Sequence, residues 1–223
     1  MKLLDNMFIN ILLLSIVAVI VGIMLSSYMP EKPNLGFPWQ IENTADGSIK
    51  VFQIHLGETT LSDAENMFKE TAEITLFAPR DSSPVIEAYF NDLSIGGLKA
   101  KLVITLGLDQ DVINSIYDRG ERISTLGSGT RKVTLNDTDL MTVRASHITT
   151  LTYLPSIDLD AELIQKRFGE PQQKIIDGES QHWLYPEKGL DIVLNQNSKE
   201  VLQYTLPEEF DKIAQPLIKQ AAH

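Results

Sequence analysis

The sequence predicts an α+β protein: an N-terminal single transmembrane helix followed by two tandem units of short helices packed on antiparallel sheet. Three observations predict it. Met7–Ser26, MFINILLLSIVAVIVGIMLS, carries no charged residue, and a helix of that length spans the roughly 30 Å hydrocarbon core of a bilayer. Leu98–Leu106 alternates apolar and polar residues with the period of a half-buried strand. The order of elements then repeats. DAENMF at Asp63–Phe68 matches DAELIQKRF at Asp160–Phe168, and GGLKAKLVITL at Gly96–Leu106 matches KGLDIVLN at Lys188–Asn195. The expected organisation is a stub and anchor at 1–27, a Pro-rich linker at 28–38, a first unit at 39–120, a connecting segment at 121–146 and a second unit at 147–223.

Composition limits the functions open to the chain. Its 223 residues are 43% hydrophobic and 22% charged, with a formal net charge of −11. This is the profile of a folded body, and its acidity disfavours nucleic acid and anionic headgroups as partners. There is no Cys, which excludes disulfides, thiolate metal sites, Cys nucleophiles and a lipid-attached Cys.

A cleaved signal peptide competes with the anchor reading. Its apolar run is shorter, about 7–15 residues, and ends in a small-x-small site; LSSYMPEKP offers no such site. Lys2 and the α-amino group, against Asp5, give a slight bias toward a cytoplasmic N-terminus. The expected location is therefore the inner membrane, with an extracytoplasmic, periplasmic body. Asn10 and Ser15 are the strongly polar groups at depth, placed either to join helices or to reach headgroups.

The remaining elements follow in order. Tyr28–Pro38 holds three prolines and reads as a semi-stiff spacer. Trp39–Ile41 and Ile49–Leu56 flank Asp46-Gly47, a hairpin turn signal. Thr60 and Asp63 form a capping pair before Leu61, Ala64, Met67 and Phe68. Strands are expected near Glu73–Phe77, Val85–Asn91 and Leu98–Leu106, then a short helix capped by Asp109 and ended at Gly120. Arg122–Arg131 reads as a loop, Lys132–Leu135 as a strand, and Asn136 as the cap of a helix. Ile148–Leu154 is a strand, and Asp158 caps a helix that Gly169 and Pro171 terminate. Gln172–Ile176, Gln181–Tyr185, Leu190–Asn195 and Glu200–Thr205 are strands, and Leu206-Pro207 opens a last helix interrupted at Pro216.

At Arg167–Tyr204 a helix end, Phe-Gly-x-Pro, and an aromatic-centred strand (His182-Trp183-Leu184-Tyr185) lead into a meander. This stretch resembles the small lipoprotein of the outer-membrane β-barrel assembly machinery, the SmpA/BamE type. The whole resembles a membrane-anchored proteobacterial envelope protein. The resemblance implies an α+β fold and a binding or scaffolding role. The chain departs from that family in having two units and no lipidated Cys, so no functional residues carry over.

No catalytic constellation stands out. His55, His147, His182 and His223 show no metal-ligand spacing. Asp109-x-Asp111, Asp137-x-Asp139 and Asp158-x-Asp160 lack the rest of a calcium loop and sit at helix starts, where capping and the macrodipole favour acids. Gly-x-Ser-x-Gly and Ser-x-x-Lys are missing. Leu126–Thr130, LGSGT, has no P-loop lysine. It does lie among Arg119, Arg122, Arg131 and Lys132, the basic stretch of an acidic protein. These four are the candidate binding residues for an anion or an acidic partner surface; the competing reading is a solvated loop whose cations pair with the protein's own acids. Trp183 and Tyr185 share a strand face that is either core or a binding surface. The expected function is a non-enzymatic binding or scaffolding body for an envelope protein partner. The alternative is an extracytoplasmic sensor for a small anion or peptide. No cofactor and no metal are expected.

Overall fold

A computed structural model describes residues 35–195 and 197–221. The expected transmembrane stretch at 7–26 and the terminal His223 lie outside them. Among the described residues no helix is long and apolar enough to cross a membrane. The longest has 12 residues, about 18 Å at the helical rise, against the roughly 30 Å a span requires. The anchor reading therefore finds no support there.

The chain begins with a small antiparallel sheet of β1 (Glu42–Asn43), β2 (Ile49–Val51) and β3 (Ile54–His55). Helix α1 (Leu61–Phe68) follows, then β4 (Glu73–Ala78), β5 (Val85–Ile95) and β6 (Leu98–Leu106). Next come α2 (Gln110–Asp118), the hairpin β7 (Arg122–Thr125) and β8 (Arg131–Thr134), and α3 (Asp137–Arg144). The last stretch is β9 (Ile148–Pro155), α4 (Ala161–Phe168), β10 (Gln173–Asp177), β11 (Ser180–Tyr185), β12 (Leu190–Asn195), β13 (Val201–Thr205) and α5 (Phe210–Ala221).

The α+β expectation is corrected here, because the fold is mostly β. Strands β4 to β13 form a single ten-stranded sheet in the order β10-β11-β12-β13-β9-β6-β5-β4-β8-β7. Its continuity comes from β9, which pairs antiparallel with β6 on one side (Val103↔Thr152) and β13 on the other (Gln203↔Thr152). Two separate helix-on-sheet units would need two sheets. Here one hydrophobic cluster runs from Leu35 to Tyr204 and takes residues from both halves. The segments matched by sequence form β6 and β12, each one strand outside the central β9–β13 pair.

Alternation decides which side chains enter that core. Leu102 and Ile104 of β6, Leu151 and Tyr153 of β9, Ile192 of β12, and Leu202 and Tyr204 of β13 are fully buried. Trp183 and Tyr185 belong to this cluster, which selects the core reading for that pair. Leu184 points the other way and packs with Ile175 against Phe210 and Ala214 of α5. Helix α5 thus covers the opposite face at the β10–β11 end. It continues through Pro216, contrary to expectation. Pro216 is exposed, so the carbonyl its missing N–H leaves free is open to water.

Local chemistry accounts for the ends. Thr60 and Asp63 form the capping box of α1, with Asp63 N donating to Thr60 Oγ1 at 3.1 Å and Thr60 N to Asp63 Oδ2 at 3.1 Å. Asp160, not Asp158, caps α4, accepting from Leu163 N at 2.7 Å; Asp158 pairs with Lys199. The expected spacer ends early, since Leu35 and Pro38 are buried and Tyr204 Oη donates to the Pro38 carbonyl at 2.9 Å. The β2–β3 connection is Phe52-Gln53, with both φ positive at 53° and 65°. That turn pattern normally uses Asn and Gly. Here the Phe52 ring, packed 5.1 Å from Tyr153 and 5.8 Å from Tyr204, offsets the backbone cost.

Candidate functional site

The expected basic loop is a β-hairpin at the end of the large sheet. Leu126–Thr130 is its turn, closed by Leu126 N donating to the Thr130 carbonyl and Gly129 N to the Leu126 carbonyl, both at 2.9 Å. Strand β8 pairs with β4 (Ala78↔Arg131, Leu76↔Val133), which attaches the hairpin to the body. Helix α2 closes the space beside it. Ile113 and Ile116 anchor that helix in the core. Gly120, just past its end, sits so close to β8 that a Cβ there would meet Val133 Cγ1 at 2.2 Å. This approach brings Tyr117 alongside Arg131.

The strand alternation divides the four candidate cations. Arg131 and Lys132 are consecutive on β8 and point to opposite faces. Lys132 pairs with Glu73 at 3.0 Å. Arg122 lies opposite Thr134 on the edge strand, on the Lys132 face, and is exposed. Arg119 turns toward α3, where its Nη2 is 2.6 Å from Asp139 Oδ1 and its Nε is 3.3 Å from Oδ2. Asp139 is 3% exposed and is also held by Asn136. Its hydrogen bonds raise the Arg119 pKa above the ordinary value. Arg119 therefore ties α2 to α3.

Arg131 lines a concavity. A recess of about 410 Å³ is lined by Ala78, Pro79, Arg80, Tyr117, Thr125, Gly129 and Arg131. Arg131 Nη1 donates to Tyr117 Oη at 2.5 Å. Arg80, just beyond β4, crosses the hairpin turn. A Cβ built on Gly129, whose φ is +85°, would meet Arg80 Nε at 2.9 Å and Cζ at 3.2 Å. The absent side chain of Gly129 is thus what lets this guanidinium lie over the turn. Among the described residues neither Arg80 nor Arg131 pairs with a carboxylate. Two guanidinium groups, a phenol and the Thr125 hydroxyl converge on one opening. Guanidinium forks match the oxygens of carboxylate and phosphate, often bidentately. Arg80 was not legible as a site residue, because β4–β8 pairing joins positions more than fifty residues apart.

Two other concavities, of about 420 and 390 Å³, are lined by Trp39, Lys50, Phe52 and Gln53 and by Asp160, Glu179 and Glu200. Neither brings two cations together. The groups with raised pKa values do not line the recess. His182 Nδ1 is 2.7 Å from Asp191 Oδ2, and this hydrogen bond to a carboxylate 1% exposed raises the His182 pKa. Burial raises Glu87 and pushes Tyr153 and Tyr185 up to about 12. His147 Nδ1 contacts the Glu58 carbonyl at 2.7 Å, across an isolated bridge from Thr60. One set of metal-ligating side chains, Asp46, His55 and Glu58, does come together, around the small sheet. Comparison of the chain with protein-family models, with curated proteins and with solved structures gives no match.

Proposed function

We propose that the protein is a non-catalytic binding module that takes an anionic group, carboxylate or phosphate, into the recess between Arg80, Arg131 and Tyr117. The observation that carries this reading is the convergence of two guanidinium groups, free of carboxylate partners among the described residues, on one concavity of an otherwise acidic body. The ionisable groups with raised pKa values do not line it, which favours binding over proton-transfer chemistry.

The adaptor reading has its own support at the same end of the sheet. All four residues of β7 are exposed and its outer edge carries no further strand among the described residues. Ile123 and Leu126 stand out from the hairpin at 51% and 42% exposure. An extended acidic segment could add to this edge by main-chain hydrogen bonds and place a carboxylate in the recess.

Calorimetric titration of the full-length protein with inorganic phosphate, and with a hexaglutamate peptide, tests the reading. A charge-assisted hydrogen bond contributes about 1.5–3 kcal/mol, so Arg80→Ala and Arg131→Ala should each weaken binding about tenfold or more. Arg122→Ala should leave phosphate binding unchanged. Equal affinity in all three variants would refute the assignment.

A further inference from the structure

The small sheet assembles a second site from Asp46, His55 and Glu58. The β1–β2 turn carries Asp46, β3 carries His55, and the connection to α1 carries Glu58. His55 Nδ1 lies 2.8 Å from Glu58 Oε2, and His55 Nε2 lies 3.2 Å from Asp46 Oδ2. One ligand atom from each of the three falls within 4.8 Å of the others.

The two contacts are not alike. Nδ1 stands 2.8 Å from a Glu58 carboxylate oxygen, within ion-pair distance. A neutral imidazole with its one N–H on Nδ1 presents a lone pair at Nε2. That nitrogen is buried and makes no hydrogen bond, although a carboxylate oxygen stands 3.2 Å away. An unpaired buried acceptor facing an anion is unfavourable by itself. A cation between them, a proton or a metal ion, removes the conflict. Two ligand atoms 3.2 Å apart are spaced as neighbours around an ion about 2.1 Å from each, the distance typical of zinc to imidazole nitrogen and carboxylate oxygen.

The surroundings hold this arrangement in place. Asp46 Oδ1 is taken by Thr44 Oγ1 and, at 3.4 Å, by Ser48 N, which leaves Oδ2 for His55. His55 N donates to Thr59 Oγ1 and Thr59 N donates back to the His55 carbonyl, both at 2.9 Å. A carboxylate on the far nitrogen of a ligating histidine is the usual outer support of a metal site, fixing tautomer and ring orientation.

We infer that His55 Nε2 and Asp46 Oδ2 bind a first-row divalent cation, with Glu58 orienting the imidazole and water completing the shell. An imidazole nitrogen among the ligands favours zinc, with manganese weaker, over the all-oxygen preference of calcium and magnesium.

The test is calorimetric titration of the full-length protein with zinc, paired with manganese-induced broadening of its amide NMR signals. The expected result is one saturable event, weakened at least tenfold by His55→Gln and by Asp46→Asn, and about tenfold by Glu58→Gln. Asp81→Asn, on a distant exposed loop, should leave it unchanged. Broadening should centre on residues 44–48 and 54–59, a readout that needs no variant and so stands even if one fails to fold. Absence of a saturable event, equal zinc affinity in His55→Gln, or broadening spread over the acidic surface would overturn the inference.

Discussion

Adding a single methyl group at Gly189 should cost more stability than at any exposed turn glycine. Gly189 is buried between the turn after β11 and the start of β12, with φ +54°. A Cβ there would lie 2.1 Å from the Thr205 carbonyl oxygen, 3.2 Å from its carbon and 3.4 Å from Ile49 Cδ1. The oxygen belongs to the β13 backbone, so no side-chain rotation relieves the overlap. Left-handed strain contributes about 1–2 kcal/mol. Overpacking of a filled core contributes about 1–3 kcal/mol. Moving β13 away also weakens the Thr205 N to Gly189 carbonyl hydrogen bond, now 2.8 Å, for about 1 kcal/mol. Gly189→Ala should therefore lose about 3–6 kcal/mol, which is a large part of the stability of an ordinary domain. Gly178→Ala is the internal control. Its φ is +59°, but nothing lies within 4 Å of its Cβ position, so only the strain of about 1–2 kcal/mol applies. Urea unfolding of both variants measures the difference. If Gly189→Ala costs no more than Gly178→Ala, Gly189 does not lie against the Thr205 carbonyl as described.

Three further outcomes follow from the same geometry. Gly129→Ala should displace Arg80, whose Nε is 2.9 Å from the new Cβ, and weaken phosphate binding about tenfold by calorimetry, a loss within the range of one charge-assisted hydrogen bond. Gln53→Gly should stabilise the fold by about 0.5–1 kcal/mol in urea unfolding, because it relieves left-handed strain at an exposed side chain while giving back some chain entropy. His182 has a native pKa raised above 6.5 by its hydrogen bond to Asp191, so the folded state binds the proton more tightly than the unfolded chain. Its contribution is fully present below pH 6.5, is lost as pH rises through the raised native value, and is flat above it. The unfolding free energy of the wild type should fall across that window, and His182→Gln should remove that part of the slope.

Much of the local structure is legible in the residues, for reasons the structure makes specific. Strand β6 spans Leu98–Leu106 as its alternation predicts, because one of its faces is fully buried and the other is not. The capping pair at Thr60 and Asp63 is read from three neighbouring positions. The errors are non-local or turn on equivalent neighbours. Nothing near Ile148–Leu154 says that β9 will join β6 to β13, so two units were expected where one sheet forms. The segment Arg122–Arg131 offers little apolar patterning because every residue of β7 is exposed, so a hairpin reads as a loop. Asp158 and Asp160 are chemically interchangeable caps two residues apart, and the hydrogen bond to Leu163 N decides between them. The candidate sites follow the same logic. Local clustering marked four cations, yet alternation left only Arg131 in the recess and strand pairing supplied Arg80. Asp46, His55 and Glu58 show no metal-site spacing, because a hairpin turn and a tight loop bring them together.

The most direct measurement of the central claim is a phosphate titration of the full-length, unsubstituted protein followed by amide and arginine side-chain NMR. The account predicts saturable shifts confined to Ala78–Arg80, Tyr117 and Thr125–Arg131, with the Arg80 and Arg131 Nε signals moving together at one affinity. Shifts centred on Arg119, Arg122 or Lys132 instead, or none that saturate, would contradict it.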